Sequence, residues 1–381
     1  MSNSQNWPTW VEISRSALKH NLKQYNNIKA KNSQIAPVLK SNAYGHGLIE
    51  CANLLKNEPI WGFCTVNLSE SLILRHFGFS GRLLVLSFVD EDLSLGIKKD
   101  ITFSVYSQKF ARKLNSLARK LNKKVKIHLK VETGTGRLGL WPEDFYNIVK
   151  KISKMKNLSI EGVFTHLADS ENANWNFTNK QIKRFNQILE KLKKENINIP
   201  LKHMACSAAA IGHSKIHYNL IRLGLSLYGL YPSEAVKKRV KDKYNNFSLK
   251  PVLSWYTKII QIKKLPAGHN IGYGCSYKTK TKKKIAVLPV GYWDGYDRHL
   301  SNKNFVLIKG QRCSVLGRIC MNMHMVDITP IKNIRVGERV TLIGCDGSEK
   351  ITVEEMAEKI GTINYEIPTR INPLIPRIIC Q

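Results

Sequence analysis

The sequence of 381 residues carries 60 Lys+Arg against 28 Asp+Glu, a formal charge of +32. That length exceeds what one core usually fills, so one large and one smaller domain are expected, and 43% hydrophobic content excludes a disordered or fibrous chain. No apolar run is long enough to cross a bilayer, and residues 1–8 lack a basic patch followed by an apolar stretch, so no anchor or secretory leader is expected and the expected location is cytoplasmic.

Residues 10–13 read as a lone first strand, and a helix starting near Ser14 puts Leu18, Leu22 and Tyr25 on one face. Strand-like apolar runs then recur at 35–39, 61–66, 83–87, 101–106, 125–131, 160–165, 201–205 and 220–227, with helical patterns between most of them. The helix after Trp141 has Pro142 in its first turn and Phe145, Ile148, Val149 and Ile152 inward. Another opens at Thr178, with Gln181 completing a capping box, and buries Ile182, Phe185, Ile188, Leu189 and Leu192. This alternation predicts a parallel (β/α)8 TIM-type barrel rather than an open doubly wound sheet. Beyond Pro232 a basic, polar linker is expected to run to Asn246. The alternating segments 255–262, 285–289, 305–308, 323–328 and 340–343, punctuated by Gly and Pro, then read as an all-β domain with a single helix at 353–360. The expected division is a barrel at 12–240 and a C-terminal β-domain at 241–381, joined by the N-terminal strand 1–11.

The basic residues are scattered along this plan, and the densest clusters, 237–243 and 278–284, read as solvated turns near a domain junction and in a hairpin. Non-specific adhesion at low salt is expected, specific nucleic-acid binding is not, and the charge favours anionic ligands. The eight cysteines form no C-x-x-C pair and no Cys/His cluster with zinc spacing, so neither a metal nor a disulfide is expected.

Chemistry-bearing residues gather at the strand ends. The run 35–39 ends on Lys40 and breaks into a loop carrying Asn42, Tyr44, Gly45, His46 and Gly47. A lysine there either reaches out to water or sits desolvated with a lowered pKa, as an amine free to attack an aldehyde. Arg137, His166, Ser207 and Arg222 follow at or just after the ends of later runs, on the face where such barrels build active sites. Ser207-Ala-Ala and Gly224-Leu225 fall where these barrels bind phosphate.

The ordered stretches are Lys40 with Tyr44, His128-Leu-Lys-Val-Glu-Thr-Gly-Thr-Gly-Arg137, Thr165-His166, Ser207-Ala-Ala and Arg222-Leu-Gly224. They continue as Gly272-Tyr273-Gly274, Gly291-Tyr292-Trp-Asp294-Gly295, Gly317-Arg-Ile-Cys-Met321 and Thr362-Ile-Asn-Tyr365-Glu366. Together they resemble the alanine racemase family over nearly the whole chain. The resemblance implies an enzyme that interconverts L- and D-alanine with pyridoxal 5'-phosphate (PLP) and supplies D-alanine for peptidoglycan. It implies that Lys40 bonds the PLP aldehyde and serves as base on one face of Cα. Tyr273 of a second subunit would serve the other face, which requires a homodimer with shared active sites. Tyr44, Ser207, the backbone around Gly224 and Leu225, and Tyr365 would hold the phosphate. Arg222 would face the pyridine nitrogen, and His166 would link it to Tyr273. An arginine is a permanent donor that cannot protonate that nitrogen, so the ring is a weaker electron sink, which suits racemisation over transamination. Arg137 and the Met321 backbone N–H would bind the substrate carboxylate, and Lys130 aligns with a lysine that is carbamylated in several relatives.

Read apart from the family, Ser207 is a helix N-cap, Arg222 an arginine forked onto a carboxylate, and His166 a core histidine. Asp169, Arg298 and Arg318 read either as channel-lining residues or as surface ion pairs. Asn322 stands where relatives usually carry aspartate, Cys206 where asparagine is common, and Thr135 and Glu132 replace a methionine and an aspartate. These departures bear on substrate range, and a serine or broad-specificity racemase is the alternative. Decarboxylases of similar architecture are disfavoured by Tyr273 and Arg222 together.

Overall fold

The computed structural model describes residues 7–89 and 92–381. Residues 1–6, on which much of the leader reading and part of the expected strand 1–11 rest, lie outside the described residues. The chain divides into two compact units, one of residues 17–43 with 51–250 and the other of residues 1–16, 44–50 and 251–381.

Strand β1 (Thr9–Ser14) belongs to the second unit. The first is built on parallel strands β2 (Gln34–Pro37), β3 (Phe63–Thr65), β4 (Leu83–Val85), β5 (Thr102–Val105), β6 (Val125–Lys130), β7 (Leu158–Phe164), β8 (Leu201–His203) and β9 (Leu220–Leu223). Strands β3 to β8 form one six-stranded sheet, and β2 pairs with β9. The two pieces close on each other at both seams. The Leu39 N–H donates to the Cys64 carbonyl and the Trp61 N–H to Ile35, each at 2.8 Å, while Asn219 donates to Lys202 at 3.1 Å and Arg222 to Ala205 at 3.0 Å. The expected (β/α)8 barrel is present. Its strands are buried on both faces, as at Leu83, Leu84 and Val85, which is why they read as unbroken apolar runs.

Local chemistry explains the helices around it. The Ser107 hydroxyl accepts from the Phe110 N–H to start Gln108–Lys120, whose Ala111, Leu114 and Ala118 face inward. Three expectations change. The run 220–227 stops at Leu223, and Gly224 opens a tight turn over Leu225–Tyr228. The helix expected from Thr178 starts at Asn176 and buries Thr178, so no capping box forms there. The expected polar linker is instead a helix, Glu234–Lys243, capped by the Ser233 side chain and seated on Val236 and Val240. Two valines one turn apart suffice, and the surrounding lysines disguise them.

In the second unit one sheet runs in the order Gln261–Leu265, Lys283–Leu288, His324–Asp327, Gln311–Leu316, Phe305–Ile308, Arg339–Asp346, Leu253–Lys258, β1 and Arg377–Cys380. Trp255, Tyr296, Leu307 and Leu342 fill its core. The helix expected at 353–360 is present as Val353–Ile360, capped by Thr352 and ended by Gly361 at φ 70°, and a short helical turn follows at Glu366–Thr369. The 278–284 stretch is not a hairpin, because Tyr277–Lys278 pairs with Asn270–Ile271 whereas Lys283–Leu288 pairs with Gln261–Leu265. Among the described residues no helix is long and apolar enough to cross a membrane.

Candidate functional site

Lys40 follows β2 and opens a turn of opposite hand. Ser41, Asn42, Ala43 and Tyr44 all have φ between 53° and 55°. A left-handed turn costs L-residues roughly 1–2 kcal/mol each, so neighbours must hold it. The Ala43 N–H donates to the Leu39 carbonyl at 2.8 Å, and the Asn42 N–H donates to Oε1 of Glu70 at 3.2 Å. Glu70 lies in the first turn of the helix Leu68–His76, after β3, and its Oε2 accepts from Val66 at 3.0 Å. Burial holds the Lys40 amine below its usual range; Arg137 and Arg222 push the same way and Glu70 opposes them.

Arg222 sits in β9 and is almost fully buried, with no carboxylate on its guanidinium among the described residues. Nη1 donates to Nδ1 of His203 at 2.7 Å. Nη2 donates to the Thr165 carbonyl at 2.8 Å, the Met204 carbonyl at 3.2 Å and Nδ1 of His166 at 3.3 Å. The reading of an arginine forked onto a carboxylate is therefore not what forms. Its Nε–H meets no acceptor among the described residues. Because an arginine only donates, Nδ1 of His166 carries the lone pair and its proton is on Nε2. Burial and then Arg222, Arg137, Lys40 and Lys130 hold His166 well below the usual imidazole range, so it is neutral.

The loop after β6 carries Arg137, whose side chain has no ion pair among the described residues. Glu132 organises this loop by accepting from the backbone of Gly134 at 2.6 Å and Arg137 at 3.1 Å. Burial opposes its ionisation, but the N–H groups of Gly134, Arg137, Gly136 and Thr135 keep the carboxylate below its ordinary range. Lys130 is pushed down to about 8, by burial first and then by Arg137 and Arg222. Gln181, misread as a cap, does other work. Its amide donates to the Thr133 hydroxyl and the His166 carbonyl, both at 3.1 Å, and accepts from the Ala168 N–H at 2.9 Å, tying the loops after β6 and β7 together.

Ser207 is the first residue of a short helix whose N-cap is Cys206, so it is not itself the cap. Its hydroxyl accepts from the backbone of Gly224 at 3.1 Å and Ser226 at 3.4 Å, and its carbonyl accepts from the Tyr25 hydroxyl at 3.0 Å. Leu225 is buried beside it. Thus Lys40, Lys130, Arg137, His166, Ser207, Arg222, Gly224 and Leu225 all belong to the barrel unit, at or beyond its strand ends.

The remaining expected site residues belong to the second unit. The Tyr44 and Tyr365 rings lie 6.4 Å apart between centroids. Tyr273 is 72% exposed and Met321 is 55% exposed. The Tyr273 turn lies against Arg318, since a Cβ on Gly272 would come within 3.2 Å of the Arg318 backbone nitrogen. Neither Arg298 nor Arg318, nor Asp169 in the barrel, makes an ion pair among the described residues, against the surface-pair reading. Glu70 and His203 went unnoticed in the sequence. For His203 a signal existed: a histidine inside an apolar strand, ahead of Arg222.

The family profile described as "Alanine racemase, N-terminal domain" matches residues 13–232, and "Alanine racemase, C-terminal domain" matches residues 252–379. The chain belongs to the alanine racemase family. It is 42% identical to the alanine racemase of Methanococcus maripaludis, over 97% of this chain and 98% of that one. The alanine racemase structure of Clostridium difficile 630 superposes with a TM-score of 0.92 at 35% identity, covering 98% of this chain and 96% of that one. A histidine racemase from Leuconostoc mesenteroides subsp. sake superposes at 0.89 with 27% identity, over 100% of both chains. Membership of the alanine racemase family brings the activity class, an amino-acid racemase of the isomerase type.

Proposed function

We propose that the chain interconverts L- and D-alanine with PLP as cofactor, working as a cytoplasmic homodimer that supplies D-alanine for peptidoglycan. The observation that carries this reading is a barrel mouth holding Lys40, Lys130, Arg137 and buried Arg222, whose nearby carboxylates, Glu70 and Glu132, are already spent on backbone N–H groups. Four cations gathered in this way, of which Lys130 and Arg222 are buried, call for anionic ligands. PLP supplies a phosphate and an electron-poor ring that acidifies the Cα–H bond of a bound amino acid.

The residues fit that group. The Nε–H of Arg222, without an acceptor among the described residues, suits a ring nitrogen that only accepts, and the lowered Lys40 pKa suits an amine that bonds an aldehyde. Ser207 and the backbone at Gly224 and Leu225 hold the phosphate, with Tyr44 and Tyr365 as the further ligands the family resemblance assigns. Arg137 and the Met321 N–H bind the substrate carboxylate, the first by its guanidinium fork. Lys40 takes or returns the proton on one face of Cα, and Tyr273 from a second copy of the chain does so on the other. The exposure of Tyr273 supports that assignment, because a phenol needed in catalysis is otherwise left in water. His166, with its proton on Nε2, is equipped to donate to that phenol while accepting from Arg222. A neutral Lys130 amine adds to carbon dioxide with loss of a proton, and the resulting carbamate would answer the charge of Arg137.

A second reading, a serine or broad-specificity racemase, draws on Asn322 beside Met321 and on the likeness to the Leuconostoc histidine racemase. The test is chiral chromatography of products from the purified chain with PLP and a panel of L-amino acids. Alanine turned over fastest supports the proposal; serine turned over faster supports the second reading, and no D-amino acid overturns both.

A further inference from the structure

Behind Arg222 a file of polar side chains crosses the barrel interior, one from each of β9, β8, β6 and β7. His203 accepts from Arg222 at Nδ1, and its Nε2 lies 2.8 Å from Nδ1 of His128. Nε2 of His128 lies 3.3 Å from Oε2 of Glu161. Both imidazoles are fully buried. Glu161 is at the barrel margin, where Lys126 comes within 3.8 Å of its other oxygen. The backbone makes room for the file: a Cβ at Gly162 would come within 2.6 Å of Nδ1 of His128.

Every proton in this file has one consistent position. Arg222 only donates, so Nδ1 of His203 holds a lone pair and its proton is on Nε2. That proton is donated to His128, whose Nδ1 must then be the acceptor, leaving its own proton on Nε2 and aimed at a carboxylate that only accepts. The donors run in one direction, from Arg222 to Glu161. A reversed file would set an imidazole N–H against a guanidinium N–H at 2.7 Å. Burial keeps both rings below the usual imidazole range, in agreement with neutral, single-tautomer histidines.

We propose that Glu161 and His128 are positioning residues for Arg222: the Glu161 carboxylate fixes the tautomer of His128, which fixes that of His203, and so keeps a lone pair facing the arginine proposed above to meet the cofactor ring. This deepens the reading of Arg222 and rests on it. Both residues lie behind His203, one or two hydrogen bonds removed from it on the side away from Arg222. Their effect is to hold one planar donor at one angle, as outer partners of metal-bound histidines do.

The test compares Glu161→Met with Glu161→Gln, near-isosteres of which only glutamine keeps an acceptor for His128. In the PLP-free full chain labelled with 15N-histidine, wild type and Glu161→Gln are expected to show His128 and His203 protonated on Nε2, and Glu161→Met to show the Nδ1–H form or a mixture. PLP affinity, read by fluorescence titration, is expected to fall about tenfold in Glu161→Met and to stay near wild type in Glu161→Gln, by analogy with outer-partner losses at metal sites. Wild-type spectra showing Nδ1–H imidazoles overturn the proposal, even if Glu161→Met fails to fold. So does a folded Glu161→Met with wild-type tautomers and wild-type PLP affinity. A wild-type chain that binds no PLP sinks the cofactor reading instead, and the tautomer spectra still report on the file by themselves.

Discussion

The backbone N–H of Asn42 donates to the carboxylate of Glu70 across 3.2 Å, and that bond pins the turn behind Lys40 to the next strand-helix junction. Removing the carboxylate takes the acceptor from half-buried backbone donors at the Val66 end and in a left-handed turn. Glu70→Ala is expected to lower unfolding free energy by about 1–3 kcal/mol in urea titrations. An unchanged midpoint would mean that the turn holds itself.

Lys130 gives a pH signature. Its folded-state pKa of about 8 is below the ordinary lysine value of 10.5, so between these limits the unfolded chain binds more protons and stability rises with pH. Below pH 8 the full cost of the buried charge applies. Lys130→Met, which removes that titration, is expected to flatten the climb in Tm between pH 8 and 10 relative to wild type. A carbamate on the wild-type lysine would remove the same slope, so the experiment is run with and without bicarbonate, and carbon-13 bicarbonate would label the adduct. Parallel curves for the two proteins in the absence of bicarbonate would show that Lys130 titrates normally.

Tyr273 separates function from stability. Being largely in water in a single chain, its hydroxyl has little to lose when removed, and Tyr273→Phe is expected to keep unfolding free energy within about 0.5 kcal/mol. Activity is expected to collapse. Mixed dimers of Tyr273→Phe and Lys40→Ala subunits are expected to regain one competent site per dimer. No recovery would refute sharing between subunits.

Gly162 is expected to tolerate no side chain. With His128 where its Cβ would go, Gly162→Ala is expected to cost about 1–3 kcal/mol in thermal or urea unfolding. A neutral result would show that the His128 ring has room to move.

Much of this was legible in the order of residues because parallel barrel strands, buried on both faces, leave unbroken apolar runs whose ends mark the site. Lys40, Arg137, His166, Ser207 and Arg222 stood out for that reason. What stayed hidden had no local mark. Glu70 looks like any acidic residue in a first helical turn, and its partner lies 28 positions earlier. The Thr178–Gln181 spacing matched a cap, but the helix had already begun at Asn176, which freed Gln181 for the interior. Nothing near Ser41 to Tyr44 announces four successive left-handed residues, since glycine usually marks such positions. The strand Arg377–Cys380 pairs with β1, too remote for any local pattern to reveal.

That pairing has a consequence during synthesis. β1 is made before every strand it pairs with, since Thr9 meets Thr257, 248 residues later, and Ser14 meets Gln381, 367 residues away. The barrel has all its strands by residue 223 and is able to close while β1 still shows bare edges on both sides. Nascent chains therefore carry an unpaired strand edge while the barrel and most of the second sheet are made, and slow synthesis before Arg377–Cys380 emerges lengthens the interval in which that edge can pair with another chain.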